Sequence, residues 1–158
     1  THGLGLDNLL NFYSYKKTND DKEIIDAFIT QTKLDTAITN PYAFSGSDML
    51  LQKFGEGFHK GITVTCPGFF GPQGRVLRLG LSSPDLVDKL THFNFNNHRI
   101  TNFEMETSAI YGLGKLMGHE CLSINVIIAN RVVKEFSKDS NAAVEKMIIK
   151  ALEALTAS

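Results

Sequence analysis

Cysteine, excess charge and long apolar runs are all scarce in this chain, and each scarcity removes a class of function. The two cysteines, Cys66 and Cys121, stand far apart without the CxxC spacing of a metal or redox site. Both read as buried, reduced thiols in separate apolar strands. Formal net charge is only -1, and no basic run is interleaved with aromatics, so no nucleic acid partner is expected. No apolar stretch approaches the span of a membrane, and the amino end lacks a charged-then-apolar signal, so a soluble cytoplasmic protein is expected. Repeats, low-complexity tracts and linkers are missing too. What is present, 42% hydrophobic residues in a chain of 158, suffices for a real core in one domain, residues 1–158.

Two further patterns fall short of a site. Gly3-Leu4-Gly5 and Gly112-Leu113-Gly114 do not complete GxGxxG between a strand and a helix, so a dinucleotide site is not expected. His2, His59, His92, His98 and His119 lack the clustered spacing of zinc ligands.

Helical periodicity runs through Asp21–Lys33, Gly46–Phe54, Pro84–Phe93, Glu106–Gly118 and Asn141–Leu155. Ser83-Pro84-Asp85 reads as an N-cap with proline at the first helical position, and Gly118 as a C-cap. In the last helix Val144, Met147, Ile148, Ile149, Leu152 and Leu155 form a broad face that reads as core packing. Strands are expected at Gly61–Cys66, Ile100–Phe103 and Leu122–Ala129. The alternation predicts an α/β fold, a sheet with helices on both faces.

Three polar groups fall at the carboxyl ends of these strands, the usual ligand crevice of an open α/β sheet. Asn102-Phe103-Glu104-Met105-Glu106-Thr107-Ser108-Ala109 places two carboxylates where a strand runs into a helix. Acids there also have a plain use, since they complement the helix dipole and accept from its free N–H groups. Phe69-Phe70-Gly71-Pro72-Gln73-Gly74-Arg75 follows the expected strand Gly61–Cys66. Its glutamine amide offers a donor and an acceptor and its guanidinium only donors, which together match a uracil edge of carbonyl, N–H and carbonyl. Gln73 would take one carbonyl and the N–H, Arg75 would donate to a carbonyl, and Phe69 would offer a face for stacking. Read alone, the same segment is a Gly/Pro turn with a solvated arginine. The third group is Asn130-Arg131, after the apolar run Val126–Ala129.

Taken together, these segments resemble the nucleoside phosphorylase family. Asn102–Ala109 is similar to its Met-Glu motif, Phe69–Arg75 to the base loop of its uridine phosphorylases, and Asn130-Arg131 to their Asn-Arg pair. Purine-cleaving relatives usually carry Ser-Asp at that last position, with an aspartate that protonates or hydrogen-bonds the purine N7. An arginine cannot take that role, because it does not give up its proton usefully. The resemblance covers nearly the whole chain but only the carboxyl-terminal part of a phosphorylase subunit. It implies a mixed central sheet flanked by helices, with an amino-terminal segment, including the phosphate-binding residues, missing from a chain that opens at Thr1-His2-Gly3.

The activity so implied is phosphorolysis of uridine to uracil and ribose 1-phosphate, a step of pyrimidine salvage. Inorganic phosphate is the co-substrate, with no metal or other cofactor. Glu106 would hold the ribose hydroxyls, Met105 would shape the sugar pocket and Glu104 would border sugar and base. Gln73, Arg75 and Arg131 would orient uracil and stabilise the charge growing on its carbonyls. The family's association into dimers, often grouped into hexamers, implies a homo-oligomer. Two alternatives stay open: a purine nucleoside phosphorylase or nucleosidase on the same fold, and a non-catalytic nucleoside-binding fragment.

Overall fold

A computed structural model of the protein describes residues 1–156. Strand β1 (His2–Gly5) is followed by helix α1 (Asn19–Thr32), β2 (Tyr42–Ser45), α2 (Asp48–Phe54) and β3 (Ile62–Thr65). Next come α3 (Leu86–His92), β4 (Asn94–Phe95), β5 (His98–Glu104) and α4 (Thr107–Leu116), then a short hairpin of β6 (Ala129–Asn130) and β7 (Glu135–Phe136), and finally α5 (Ser140–Thr156). Five strands form one mixed sheet in the order β2-β1-β3-β5-β4, with β1, β3 and β5 parallel and the two outer strands antiparallel to their neighbours. This is the mixed α/β sheet flanked by helices that the sequence predicts.

Both faces of the sheet are covered, and the strand residues show it. All four residues of β1 and all four of β3 are buried, as parallel strands between helical layers must be. In β2, Tyr42 and Phe44 join Leu10 and Tyr111 on one face, while Ala43 turns to the larger cluster of Leu4, Ile24, Phe28, Ile62, Val64 and Phe93 on the other. That split follows the period of two along a strand. Helix α1 starts from a capping box in which Thr18 and Asp21 exchange side-chain-to-backbone bonds, two residues ahead of the expected start. It buries Ile24, Ile25 and Phe28 against the sheet. On the opposite face α4 lies so close to β1 that a Cβ on Gly3 would meet the Ser108 Cα at 2.7 Å. The glycine therefore fixes how closely the start of α4 approaches the strand ends.

Five expected helices exist with ends shifted by one or two residues, and Gly118 takes φ 78° just beyond α4, as a terminating glycine should. Four expectations need correction. Helix α3 begins at Leu86 rather than Pro84, because the Ser83 hydroxyl donates to the Asp85 carboxylate instead of capping, and a turn closes first. The run Leu122–Ala129 is not a strand up to Ile128: no described segment offers it a ladder, and only Ala129–Asn130 pairs, with Glu135–Phe136. Helix α5 has no buried residue, so its apolar face is not core; Ile148, Ile149, Leu152 and Leu155 stand exposed. Cys121 is half-buried and outside any strand, while Cys66 is buried just past the end of β3; both thiols are free. No helix among the described residues is long and apolar enough to cross a membrane.

Candidate functional site

Because β1, β3 and β5 run parallel, their carboxyl ends open on one side of the sheet. Gln73 and Arg75 leave the chain beyond β3, Glu104 ends β5, and Glu106 stands at the N-cap position of α4 immediately after it. The three segments picked out by sequence therefore do share one edge of the molecule.

A short 3-10 turn, Gly71–Gln73, closed by Gly74 at φ 76°, folds the β3 loop back and buries the Gln73 side chain. Gln73 Oε1 accepts from Arg75 Nη1 at 2.9 Å and from Arg131 Nη2 at 2.6 Å. Arg131 also donates to the Gln73 main-chain carbonyl, and Arg75 to that of Phe69. The Arg75 guanidinium lies over the Phe69 ring, 3.3 Å from its centre, so one face of that half-exposed ring is already covered. Arg131 is aimed back into this group by Asn130, whose Oδ1 accepts from the N–H groups of Val132 and Val133 and closes a turn just past β6. Sequence reasoning gave Asn130 no such part, though asparagine at the end of a strand is a usual turn signal.

Among the described residues neither arginine has a carboxylate partner. Partial burial, then the positive charge of Arg75, pull the Arg131 pKa below the usual guanidinium value. It stays protonated at neutral pH, as guanidinium does in proteins. Two like charges held against one amide form a donor-rich cluster suited to carbonyl oxygens or to an anion. Cys66 sits behind this cluster and feels the charges of both Arg131 and Glu104; burial is the largest influence and pushes the thiol up to about 12. It is a packed residue with no nucleophilic use at neutral pH.

The two glutamates differ. Glu104 Oε1 accepts from the Thr65 hydroxyl at 2.5 Å, and Oε2 accepts from the N–H groups of Glu106 at 2.8 Å and Thr107 at 2.6 Å. The plain use of an acid at a helix start thus applies to Glu104. Glu106 is exposed, and among the described residues its carboxylate accepts only from the Met105 N–H, at 3.2 Å. Met105 is exposed beside it. Arg131 lies 5.4 Å from the ring centre of Phe103, which precedes Glu104, so the arginine cluster and the acid pair are neighbours. Thr65, a fully buried hydroxyl, is the member of this group that sequence reading missed.

A recess of about 1630 Å³ opens beside the cluster rather than on it. It runs between Leu6, Leu34 and Ile38 on one wall and Leu77 and Leu79 on the other, and meets the site through Phe70 and Arg75. That volume exceeds the several hundred Å³ typical of a small-molecule pocket, so the recess does not define the ligand, whereas the placed polar groups do.

Comparison with known proteins adds an independent line. A family model described as the phosphorylase superfamily matches residues 12–157. A uridine phosphorylase of Thermococcus kodakarensis is 34% identical over 90 residues, 55% of this chain and 31% of that protein. A Trypanosoma brucei nucleoside phosphorylase, described as showing uridine phosphorylase activity, superposes with a TM-score of 0.83 at 27% identity, over 99% of this chain and 56% of its own. A uridine phosphorylase structure from Phytophthora capsici superposes with a TM-score of 0.54 at 14% identity, over the same shares, and speaks for the fold alone. The chain thus spans little more than half the length of these solved relatives. Since the family match runs through nearly all of it, the chain belongs to the phosphorylase superfamily.

Proposed function

We propose that this chain supplies the base- and ribose-binding part of a uridine phosphorylase, which converts uridine and inorganic phosphate to uracil and ribose 1-phosphate without a further cofactor. One observation carries the reading: Arg75 and Arg131 converge on the buried amide of Gln73, with no acid paired to either among the described residues. The uridine phosphorylase names of two relatives support it.

In this reaction the glycosidic bond lengthens before phosphate attacks, the ribose gains positive charge and the departing uracil gains negative charge on its carbonyl oxygens. Donors fixed in advance around those oxygens stabilise the transition state more than the ground state. Both lone pairs of Gln73 Oε1 are occupied by guanidinium donors, which leaves its NH₂ group free to donate to one uracil carbonyl. Pairing Oε1 with the uracil N–H then requires one arginine to exchange Oε1 for the other carbonyl. The exchange conserves the number of hydrogen bonds and moves a positive charge onto the oxygen that becomes anionic. Glu106 would accept from the ribose hydroxyls, and Met105 would pack beside the sugar. None of these groups is assigned to phosphate.

The test is the release of uracil from uridine by the purified protein with and without phosphate. Phosphate-dependent release is expected. Release at equal rates without phosphate would mean hydrolysis, and no release in either case would leave a binding protein.

A further inference from the structure

Three successive N–H groups open helix α4, and none is satisfied by the side chain at its own cap position, Glu106. Glu104 takes the N–H groups of Glu106 and Thr107, and Thr65 Oγ1 takes that of Ser108 at 2.9 Å. A threonine hydroxyl has one proton. Because Thr65 Oγ1 accepts from the Ser108 N–H, its own proton is free for Glu104 Oε1, which lies 2.5 Å away. The carboxylate of Glu104 thus receives three donors, two on one oxygen and one on the other, and its plane is fixed from β3, β5 and α4 at once.

We propose that Thr65 and Glu104 are positioning residues that hold Glu106 for the ribose, an assignment that rests on the uridine reading above. The orphan N–H groups at the start of a helix must find acceptors. If Glu106 met that need itself, its carboxylate would be folded onto its own helix. Glu104 and Thr65 meet it instead, from strand ends that cannot drift: Thr65 is fully buried and paired in register with Glu104 across the sheet. The Glu106 carboxylate, exposed and bonded only to the Met105 N–H at 3.2 Å, is left free of the N–H groups that open α4. Glu104 therefore shapes sugar recognition through Glu106 rather than by touching the nucleoside, which revises the border role expected of it from sequence.

The experiment compares Thr65→Val, which keeps the shape and removes the hydroxyl, with Thr65→Ser, which restores it. Both are made in the full-length protein, and kcat/KM is measured for uridine and for 2′-deoxyuridine. Thr65→Val is expected to lower kcat/KM for uridine by about tenfold, the worth of one hydrogen bond to a charged group, with a distinctly smaller loss for 2′-deoxyuridine. Thr65→Ser is expected to bring the ratio of the two substrates back. A parallel fall for both substrates, or an unchanged ratio, would make the network merely structural and overturn the proposal. If Thr65→Val does not fold, Glu104→Gln, which offers one acceptor oxygen in place of two, must show the same loss of ratio; an unaltered ratio there overturns it equally. A wild-type protein that leaves uridine intact would refute the functional reading itself, an outcome distinct from an active wild type whose variants keep their ratio.

Discussion

Arg131 grips Gln73, 58 residues away in sequence, with both terminal nitrogens: Nη1 donates to the main-chain carbonyl and Nη2 to Oε1 at 2.6 Å. The grip is bidentate and planar, and it ties the hairpin of β6 and β7 to the loop after β3. A single ammonium cannot reproduce that fork. Arg131→Lys is therefore expected to fail as a conservative replacement, losing nearly as much kcat/KM for uridine as Arg131→Ala. Recovery of most of the activity by lysine would mean that charge alone matters at this position.

Under the proposed function, Arg75 bears on catalysis more than on affinity. In that reading it would face an oxygen that becomes anionic only as the bond breaks, so Arg75→Ala should lower kcat about 10²–10³-fold, by analogy with loss of an oxyanion donor, while KM moves little. Steady-state kinetics on uridine check this. A raised KM at unchanged kcat would place Arg75 in uniform substrate binding instead.

Glu106→Gln separates sugar from base. The substitution removes the charge that the proposed function assigns to the ribose hydroxyls and leaves the arginine cluster intact. Discrimination between uridine and 2′-deoxyuridine should weaken, and an unaltered preference would count against Glu106 as the ribose ligand.

Gly3→Ala tests the packing that sets the site. The added methyl would meet backbone, the Ser108 Cα at 2.7 Å, which cannot swing aside as a flexible side chain could. A loss of about 1–3 kcal/mol in urea unfolding is expected, the usual cost of overpacking. Unchanged stability would show that α4 can move off β1.

Alkaline pH should destabilise the fold from a known direction. Burial raises the thiol of Cys66 to about 12 and also raises Tyr111 and Tyr15 above their ordinary values. An unfolded thiol ionises near pH ~8.5, so the folded state holds its proton longer, and the associated stability is present below that pH and is lost as pH rises toward the folded value. Melting temperatures should fall above about pH 8.5, with a shallower initial fall in Cys66→Ala. An identical slope in that variant would remove Cys66 as a source of the effect.

Much of this arrangement is legible in the sequence, because each piece carries a local signal. Periodicity finds the helices, the β-branched run Ile62–Thr65 finds a central strand, and Gln73, Arg75, Glu106 and Arg131 stand at turns where polar residues have no packing use. Pairing is less legible. The run Leu122–Ile128 is apolar enough for a strand, yet strandhood needs a neighbour, and no local pattern reveals whether one is there. Helix α5 fails for the same reason: its apolar face is plain in the residues, while what it packs on is not. Thr65 reads as one more β-branched strand residue, and only the register of β3 against β5 brings its hydroxyl to Glu104. The division of labour between Glu104 and Glu106 likewise depends on which carboxylate the start of α4 consumes.

The most direct test of the central claim, that Gln73, Arg75 and Arg131 read a pyrimidine, is the ratio of kcat/KM for uridine to that for inosine, in the wild type and in Arg131→Ala. The account predicts that the wild type prefers uridine by well over about tenfold, since each hydrogen bond to a charged donor is worth that much or more. It also predicts that Arg131→Ala loses most of this preference by losing uridine cleavage. A wild type that cleaves inosine as well as uridine, or a preference that survives removal of Arg131, would contradict it.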